Sequence, residues 1–515
     1  MEARFLNKYN RTENTLRNSI YGLIFKTLNI VGAFVTKTLL IYILGIEFAG
    51  LDGLFGSVLK LLNMADMGFS TAVVYKLYKP IAEGDDVKVR SLLLLYRRIY
   101  RIVGLVILVF GVLFLPFLPH LVFGETPSSI NLQILFLIYL INASFSYFVF
   151  SYKTAVLSAT QRNDLISKIY SLAYILRYIL QIVFLLCFKN YYTFIVVIPL
   201  TTILSNIGIA LVAKKHFPQY YCSGTVCQDD KTEIRGKITS LMFNKFGTAI
   251  INGSDNIVIS AFLGLTVLGI YDSYFYIFSM LFSIFDIFHQ AVTGGIGNSV
   301  VTESVEKNYT LYKKISFLNY WVVTWVSTTL FVLYLPFMKL WIGAENTFDA
   351  FFSGLMALYF YCYMIRFVTL IYKNALGMWK EDRFRAFAEA GLNLSLNLLL
   401  VNYIGIYGIT LSTIVAMLVV SFPWETIVLF KKYFNRKANA YFLTMFIGLV
   451  VSLCVCCATY CLALLIPFEG IAGLALRFAL CLLVPNAILF ICFHRSPLFR
   501  FLLDTISLIS KKRQK

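Results

Sequence analysis

Long apolar segments recur along almost the whole chain and leave few folds open to it. Fourteen runs of about twenty mostly apolar residues are separated by short polar loops. A run of this length crosses a bilayer as one α-helix, because 20 residues rise about 30 Å. Only 14% of the residues are charged, against roughly a quarter in soluble domains, which excludes a soluble globular protein. We therefore predict an all-α polytopic membrane protein with about 14 transmembrane helices. The predicted spans are 19–44, 50–75, 97–118, 130–152, 165–187, 191–213, 237–263, 267–293, 315–338, 350–373, 383–402, 405–430, 440–466 and 470–493.

The distribution of basic residues orients these spans. Lys and Arg are concentrated in the first 17 residues and in every second loop after them, for example between Lys76 and Arg90. The alternate loops are short and nearly free of both residue types. The positive-inside rule then places both termini in the cytoplasm, which an even number of spans also requires. Because the net charge of +19 is spread over these loops, it does not indicate a nucleic-acid partner.

The first half of the chain is echoed in the second half at an offset of 219 residues. The segment Gly45-Ile-Glu-Phe-Ala-Gly50 returns as Gly264-Leu-Thr-Val-Leu-Gly269, and similar motifs follow both copies in the same order. Repeats of this size are typical of transporters with two lobes around a central site. We predict two pseudo-symmetric six-helix lobes plus two extra C-terminal helices. The predicted division is 1–213 (N-lobe), 214–236 (cytoplasmic inter-lobe linker), 237–432 (C-lobe), 433–496 (spans 13 and 14) and 497–515 (basic cytoplasmic tail).

Charged and amide side chains inside the spans are the candidate site. A charged residue at a helix centre costs roughly 2.5–3.5 kcal/mol on insertion scales, so such residues usually face a cavity or a partner. Span 1 and span 7 each carry a polar stripe, and Lys26 maps onto Lys245 at the repeat offset. The simplest geometry puts both stripes on one water-filled cleft between the lobes. The candidate substrate-binding residues are Lys26, Asn29, Lys37, Arg177, Lys245, Asn252, Arg366, Lys373 and Asn393.

Several of these residues also have a purely structural interpretation. Lys373 lies close enough to a membrane face to snorkel. Asp52 is predicted to cap or terminate span 2, and Glu389 to neutralise Arg385 one helical turn away. Four further residues are candidates for ion coupling, because acids inside spans often relay ions and His titrates near neutral pH. These four are Asp255, Asp272, Asp286 and His289.

Signatures of catalysis and of cofactor binding are missing from the sequence. The chain has no Gly-rich phosphate loop, no nucleophile elbow and no HExxH motif. Its cysteine-rich stretch, from Cys454 to Cys461, has no histidine nearby and is predicted to pack rather than to bind a metal. We therefore expect no enzymatic activity, no metal and no cofactor.

Three motifs near the N-terminus resemble a known family. The segments Gly50–Phe55 (GLDGLF), Leu61–Gly68 (LLNMADMG) and Val73–Pro80 (VVYKLYKP) are similar to those of Wzx-type polysaccharide flippases. These flippases belong to the superfamily that also contains MATE drug exporters and the lipid II flippase. The resemblance covers essentially the whole chain, including the six-plus-six repeat and the two extra spans.

The resemblance implies a function and a setting for the chain. It implies transport of undecaprenyl-pyrophosphate-linked oligosaccharide repeat units across the bacterial plasma membrane, by alternating access around a cationic cleft. The products would be O-antigen, capsule or exopolysaccharide, and a polysaccharide polymerase is a candidate partner. Coupling to H⁺, to Na⁺ or to the membrane potential stays open at this point. The alternatives are a drug/cation antiporter or lipid II flippase of the same fold, or a membrane enzyme of polysaccharide assembly.

Overall fold

The computed structural model describes residues 11–63, 69–124, 126–225 and 228–500. Every regular element in this part of the chain is helical. The helices are α1 (Arg11–Leu44), α2 (Ile46–Leu62), α3 (Phe69–Glu83), α4 (Asp86–Phe114), α5 (Leu132–Phe148), α6 (Thr154–Ala159), α7 (Asn163–Phe188), α8 (Tyr191–His216), α9 (Gln228–Thr302), α10 (Val305–Ile342), α11 (Ala350–Ile365), α12 (Phe367–Ala375), α13 (Trp379–Asp382), α14 (Arg385–Ile404), α15 (Ile406–Ala416), α16 (Phe422–Leu429), α17 (Asn439–Leu464) and α18 (Gly470–Phe493). The predicted all-α class is confirmed. The basic tail lies largely outside the described residues.

The helices are long and apolar enough for a multi-pass membrane protein. Within the described ranges, ten helical segments meet the length and hydropathy required of a span, and α5 with the helices that follow it forms an eleventh, bent by 50°. The predicted spans 50–75 and 383–402 do not meet the length and hydropathy limits. The first contains α2, which has only 17 residues, and the second contains α14, whose charged and amide side chains lower its hydropathy. Predicted spans 7 and 8 lie on the two parts of α9, before and after a break in the helix at Gly264. The large apolar side chains exposed along these helices are suited to contact with lipid.

Two repeat-related glycines produce equivalent breaks in the helical path. Gly45 separates α1 from α2 with φ of 114°, and Gly264 interrupts α9 with φ of 88°. Such φ values favour glycine, because a Cβ atom would clash with the backbone. Gly124 and Gly343 are also related by 219 residues and have φ of 80° and 88°. The sequence repeat is therefore also a repeat of backbone geometry.

The chain divides into two compact units. The first ends at Ser273 and the second begins at Tyr274, within α9. The predicted boundary was the linker at 214–236; the six-helix lobe limits stay a prediction. In the first unit α7 packs between α1 and α8, and α4 packs on α5. Polar residues begin several of these helices, since Asp85 caps α4 and Asn190 caps α8 through side-chain bonds to backbone N–H groups.

The second unit is built around α10. This helix packs against α11 and also against the two C-terminal helices, α17 and α18. Polar contacts fix their register. The Trp325 indole donates to the Cys481 carbonyl at 2.9 Å, and Thr324 and Ser452 share a hydrogen bond of 2.7 Å. The two helices outside the predicted repeat are therefore attached firmly to α10 rather than loosely appended.

Candidate functional site

Helix α1 in the first unit presents three different faces. Its exposed apolar residues, among them Leu23 and Val31, form one face. A second face packs on α7, where Gly32 allows a close approach to the Tyr178 ring and the Tyr178 hydroxyl donates to the Asn29 side chain. Helical spacing places Lys26 and Lys37 on the third face, because eleven residues make close to three turns. Lys26 and Lys37 of the predicted polar stripe therefore lie apart from the apolar face, whereas Asn29 of the same stripe faces α7.

Lys37 makes the shortest ion pair of the first unit among the described residues. Its ammonium nitrogen lies 2.6 Å from a carboxylate oxygen of Asp272, and the two side chains are 13% and 25% exposed. Asp272 belongs to the part of α9 that follows the break at Gly264. A predicted substrate-binding residue and a predicted ion-coupling residue are thus direct partners.

A second carboxylate, Asp52, interacts electrostatically with both members of this pair and with a second cation, Arg177. Asp52 accepts a 2.5 Å hydrogen bond from the Tyr139 hydroxyl, and it lies within electrostatic reach of Lys37, Arg177 and Asp272. The prediction that Asp52 caps or terminates its helix is wrong, since Gly45 is the N-cap of α2 and Asp52 lies in its interior. The pairing of Asp52 was not predictable from the sequence, because its partner tyrosine is 87 residues away.

Arg177 has an unsatisfied donor in this cluster. Its Nε is buried and has no hydrogen-bond partner within the described structure. Its guanidinium carbon lies 5.7 Å from the centroid of the Tyr174 ring. A buried N–H group without an acceptor costs free energy, so an anionic oxygen at this position would be stabilised. We refer to Lys37, Asp52, Arg177 and Asp272 as the first-unit cluster.

The first-unit cluster lies beside a crossing between repeat-equivalent residues. Glu47 accepts a hydrogen bond of 3.2 Å from the Thr266 hydroxyl, and these two residues are 219 positions apart. A Cβ on Gly50 would lie 2.2 Å from the Leu265 carbonyl oxygen, and a Cβ on Gly269 would lie 2.1 Å from the Ile46 carbonyl oxygen. Equivalent residues therefore meet each other, as they do around a local two-fold axis.

The candidate residues of the second repeat differ in how far the structure describes them and in the contacts that they make. The side chains of Lys245 and Asn252 lie outside the described residues. Asp255 is described and is 9% exposed. In the second unit, Asp286 accepts a 2.8 Å hydrogen bond from Gln290. His289 is 8% exposed, stacks on the Phe367 ring and has a buried Nδ1 without a partner in the part of the chain that is described.

The remaining predicted cations of the second unit are already neutralised. Arg366 lies at the break between α11 and α12 and makes two hydrogen bonds to Glu425, of 3.1 and 2.8 Å. Lys373 lies 2.7 Å from Asp382. Arg385 completes the group through contacts with Asp382, Glu389 and Glu425. We call these six residues the second-unit network; they are Arg366, Lys373, Asp382, Arg385, Glu389 and Glu425.

The second-unit network balances three cations against three carboxylates in a buried setting. Glu389 lies 2.7 Å from Arg385, which confirms the predicted neutralising pair. Glu425 is 0% exposed and was not singled out from the sequence. The signal available was a lone acid in the apolar run Phe422-Pro-Trp-Glu425. π-Helical turns flank its helix, at Met417–Ser421 and Phe430–Phe434, and such turns are frequent at functional sites.

The predicted amide contact Asn393 also has partners within the protein. Its side-chain amide donates to the Thr413 hydroxyl at 2.9 Å, and Asn397 donates to Asn393 at 3.3 Å. Both asparagines are at most 1% exposed. In this arrangement they join α14 to α15, and the assignment of Asn393 to substrate stays a prediction. No group of metal-ligating side chains occurs in the described ranges.

Together, the apolar helices, the backbone repeat and the charged clusters inside the spans define a polytopic helical membrane-protein fold. The model of the family described as "Polysaccharide biosynthesis protein" matches residues 15–293, which is more than half of the chain. The chain therefore belongs to this family. A comparison with curated protein sequences finds no match.

Solved structures of transporters share this fold. A structure described as "Lipid II flippase MurJ, inward closed conformation" aligns with a TM-score of 0.67 and 13% identity, over 93% of this chain and 98% of that one. An inward-facing multidrug MATE transporter aligns at 0.59 and 15%, over 79% and 97%. A point mutant of the Vibrio cholerae MATE transporter VcmN aligns at 0.55 and 15%, over 83% and 100%. At such identities the likeness concerns the fold alone.

Proposed function

We propose that this protein flips undecaprenyl-pyrophosphate-linked oligosaccharide repeat units from the inner to the outer leaflet of the bacterial plasma membrane. The units would supply O-antigen, capsule or exopolysaccharide. Family membership and fold support a transporter of polysaccharide biosynthesis. The observation that carries the cargo assignment is the unsatisfied Nε of Arg177, which together with Lys37 lies within electrostatic reach of Asp52 in the first-unit cluster.

The chemistry of the cluster suits a pyrophosphate. Two phosphates leaving water need cationic donors to replace their lost hydration, and a guanidinium with an ammonium group provides them. Lys26 lies on the same face of α1 as Lys37 and extends the row of cations along the helix. Asn29 would bind sugar hydroxyls once its bond to Tyr178 is released.

We extend the proposal to the remaining predicted contacts. Lys245 and Asn252 would contribute from the second repeat. Arg366, Lys373 and Asn393 would contact cargo only in an arrangement that opens their present bonds, because each is now paired or buried. The two repeats would alternate access to the two leaflets with both termini in the cytoplasm. A polysaccharide polymerase would receive the product.

Energy coupling would use carboxylates or histidine within the spans. Asp255, Asp272, Asp286 and His289 are the proposed H⁺ or Na⁺ sites. The membrane potential is a second source, at roughly 2.3 kcal/mol per charge per 100 mV. A transport assay in vesicles with imposed pH, sodium or potential gradients separates the three, because only the driving gradient will support uptake.

Deletion of the gene, followed by extraction of lipid-linked glycans, tests the function. Loss of surface polymer, with single repeat units retained on undecaprenyl pyrophosphate at the inner leaflet, is the expected result. Normal surface polymer with altered drug efflux would instead indicate an antiporter. Units that reach the outer leaflet without polymerising would indicate an enzyme.

Complementation of the deletion strain then tests the site. Arg177→Gln should restore surface polymer about ten-fold less well than the wild type at equal membrane abundance, which corresponds to roughly 1.4 kcal/mol of lost binding. Arg101→Gln is the matched control, because Arg101 is an exposed arginine of α4 outside the cluster. Equal complementation by the two variants would exclude Arg177 from cargo binding.

A further inference from the structure

We infer that Asp272 is a specificity-determining residue: it pairs with Lys37 until the anionic group of the cargo takes its place. Only an anionic cargo therefore releases the contact between the two repeats. This inference rests on the proposed function and adds a cargo requirement to it. The first observation is the 2.6 Å ion pair itself. It joins α1 of the first repeat to the part of α9 that belongs to the second repeat.

The repeat supplies the second observation, because the related contact is not ionic. At the offset of 219 residues, Lys37 corresponds to Asn256 and Asp272 corresponds to Gly53. The Asn256 amide donates to the Gly53 carbonyl oxygen at 3.2 Å. Two related positions thus hold an ion pair and a neutral hydrogen bond. Packing of this crossing does not require a carboxylate, since its counterpart is a glycine.

Two neighbouring contacts at the crossing are a hydrogen bond and close backbone packing, unlike the ion pair of Lys37 with Asp272. Glu47 and Thr266 share one hydrogen bond, and Gly50 and Gly269 bring the two helix backbones together. Dispersion and backbone packing respond little to an anion. The pair of Lys37 with Asp272 responds strongly, because an anion that binds Lys37 removes the partner of Asp272.

Charge decides which cargo can break the pair. A pyrophosphate carries more negative charge than a single carboxylate and also engages the Arg177 donor, so it competes for Lys37. A neutral glycolipid has no group that outcompetes Asp272. Once displaced, Asp272 is without its cation and within electrostatic reach of Asp52, and like charges repel. Both effects weaken the crossing when an anionic cargo binds.

Disulfide formation across the crossing tests the inference directly. Glu47→Cys and Thr266→Cys would be introduced together, and their oxidation rate measured in lipid nanodiscs, with inorganic pyrophosphate as the probe. Chloride at equal ionic strength is the control. We expect pyrophosphate to slow crosslinking about three-fold or more, a change of roughly 0.6 kcal/mol. With Asp272→Asn added, crosslinking should be slow at the outset and unresponsive to pyrophosphate.

Further variants separate charge from folding. Lys37→Gln should also abolish the pyrophosphate response. The exchange Lys37→Asp with Asp272→Lys should restore the basal crosslinking rate, because the opposite charges remain. Asn256→Ala is the control at the repeat-related contact and should leave the response intact.

Two results would overturn the inference. One is a wild-type crosslinking rate and pyrophosphate response in the Asp272→Asn background. The other is an unchanged response in the Lys37→Gln background. The readout does not depend on glycan export. Normal surface polymer in the deletion strain would therefore refute the proposed function. The crosslinking result would still decide whether an anion releases this contact.

Discussion

Removing Glu425 should destabilise the protein far more than removing an exposed glutamate. Glu425 is fully buried and receives two hydrogen bonds from Arg366, with a further ion pair of 3.2 Å to Arg385. The Glu425→Gln substitution keeps the shape of the side chain but removes one of the three negative charges of the second-unit network. Its three cations would then face two carboxylates in a buried setting.

The magnitude follows from this imbalance. Breaking a buried ion pair by removing one partner costs about 3–5 kcal/mol, because it leaves an uncompensated buried charge. Removing both charges of the Arg366–Glu425 pair, by Arg366→Met with Glu425→Gln, restores the balance at two against two. We therefore expect the double variant to be less destabilised than Glu425→Gln alone, which is the sign of a coupled pair.

The assay is thermal unfolding of the purified protein in a single detergent, followed by loss of monodisperse protein. The matched control is Glu303→Gln, since Glu303 forms an exposed pair of 2.7 Å with Lys307 in the same unit. Exposed pairs contribute at most about 1 kcal/mol. The reasoning fails if the Glu425→Gln and Glu303→Gln variants have the same melting temperature. It also fails if the double variant is the least stable of the set.

Further substitutions test the local contacts. Gly50→Ala should lower stability and transport, because its Cβ would lie 2.2 Å from the Leu265 carbonyl oxygen, whereas Gly56→Ala has open space and should be neutral by the same thermal assay. Asp85→Ala removes the cap of α4 and should cost about 1 kcal/mol, measured by the same unfolding assay. Trp325→Phe leaves the Cys481 carbonyl without its donor and should lower the melting temperature without lowering pyrophosphate sensitivity.

The helical class and the repeat were readable from the sequence because both depend on local patterns. Apolar runs of span length predict the helices, and Gly45 and Gly264, at equivalent positions of the repeat, mark the breaks between them. The partners of the charged residues were not readable in the same way. Lys37 and Asp272 are 235 residues apart, and Arg366 and Glu425 are 59 apart. The neighbouring pair of Arg385 with Glu389 was predictable, because helical spacing fixes it.

Partner geometry also divides the predicted cations into two chemically different sets. In the second unit, Arg366 and Lys373 have carboxylates at hydrogen-bond distance, so an incoming anion would have to displace a buried acid and leave it without a cation. In the first unit, Arg177 retains an unsatisfied Nε within the described structure, and the Asp272 partner of Lys37 is 25% exposed. Displacing a partly solvated carboxylate costs less than displacing a buried one. An anionic cargo is therefore expected to engage Lys37 and Arg177 first, with the second-unit network holding its helices in place.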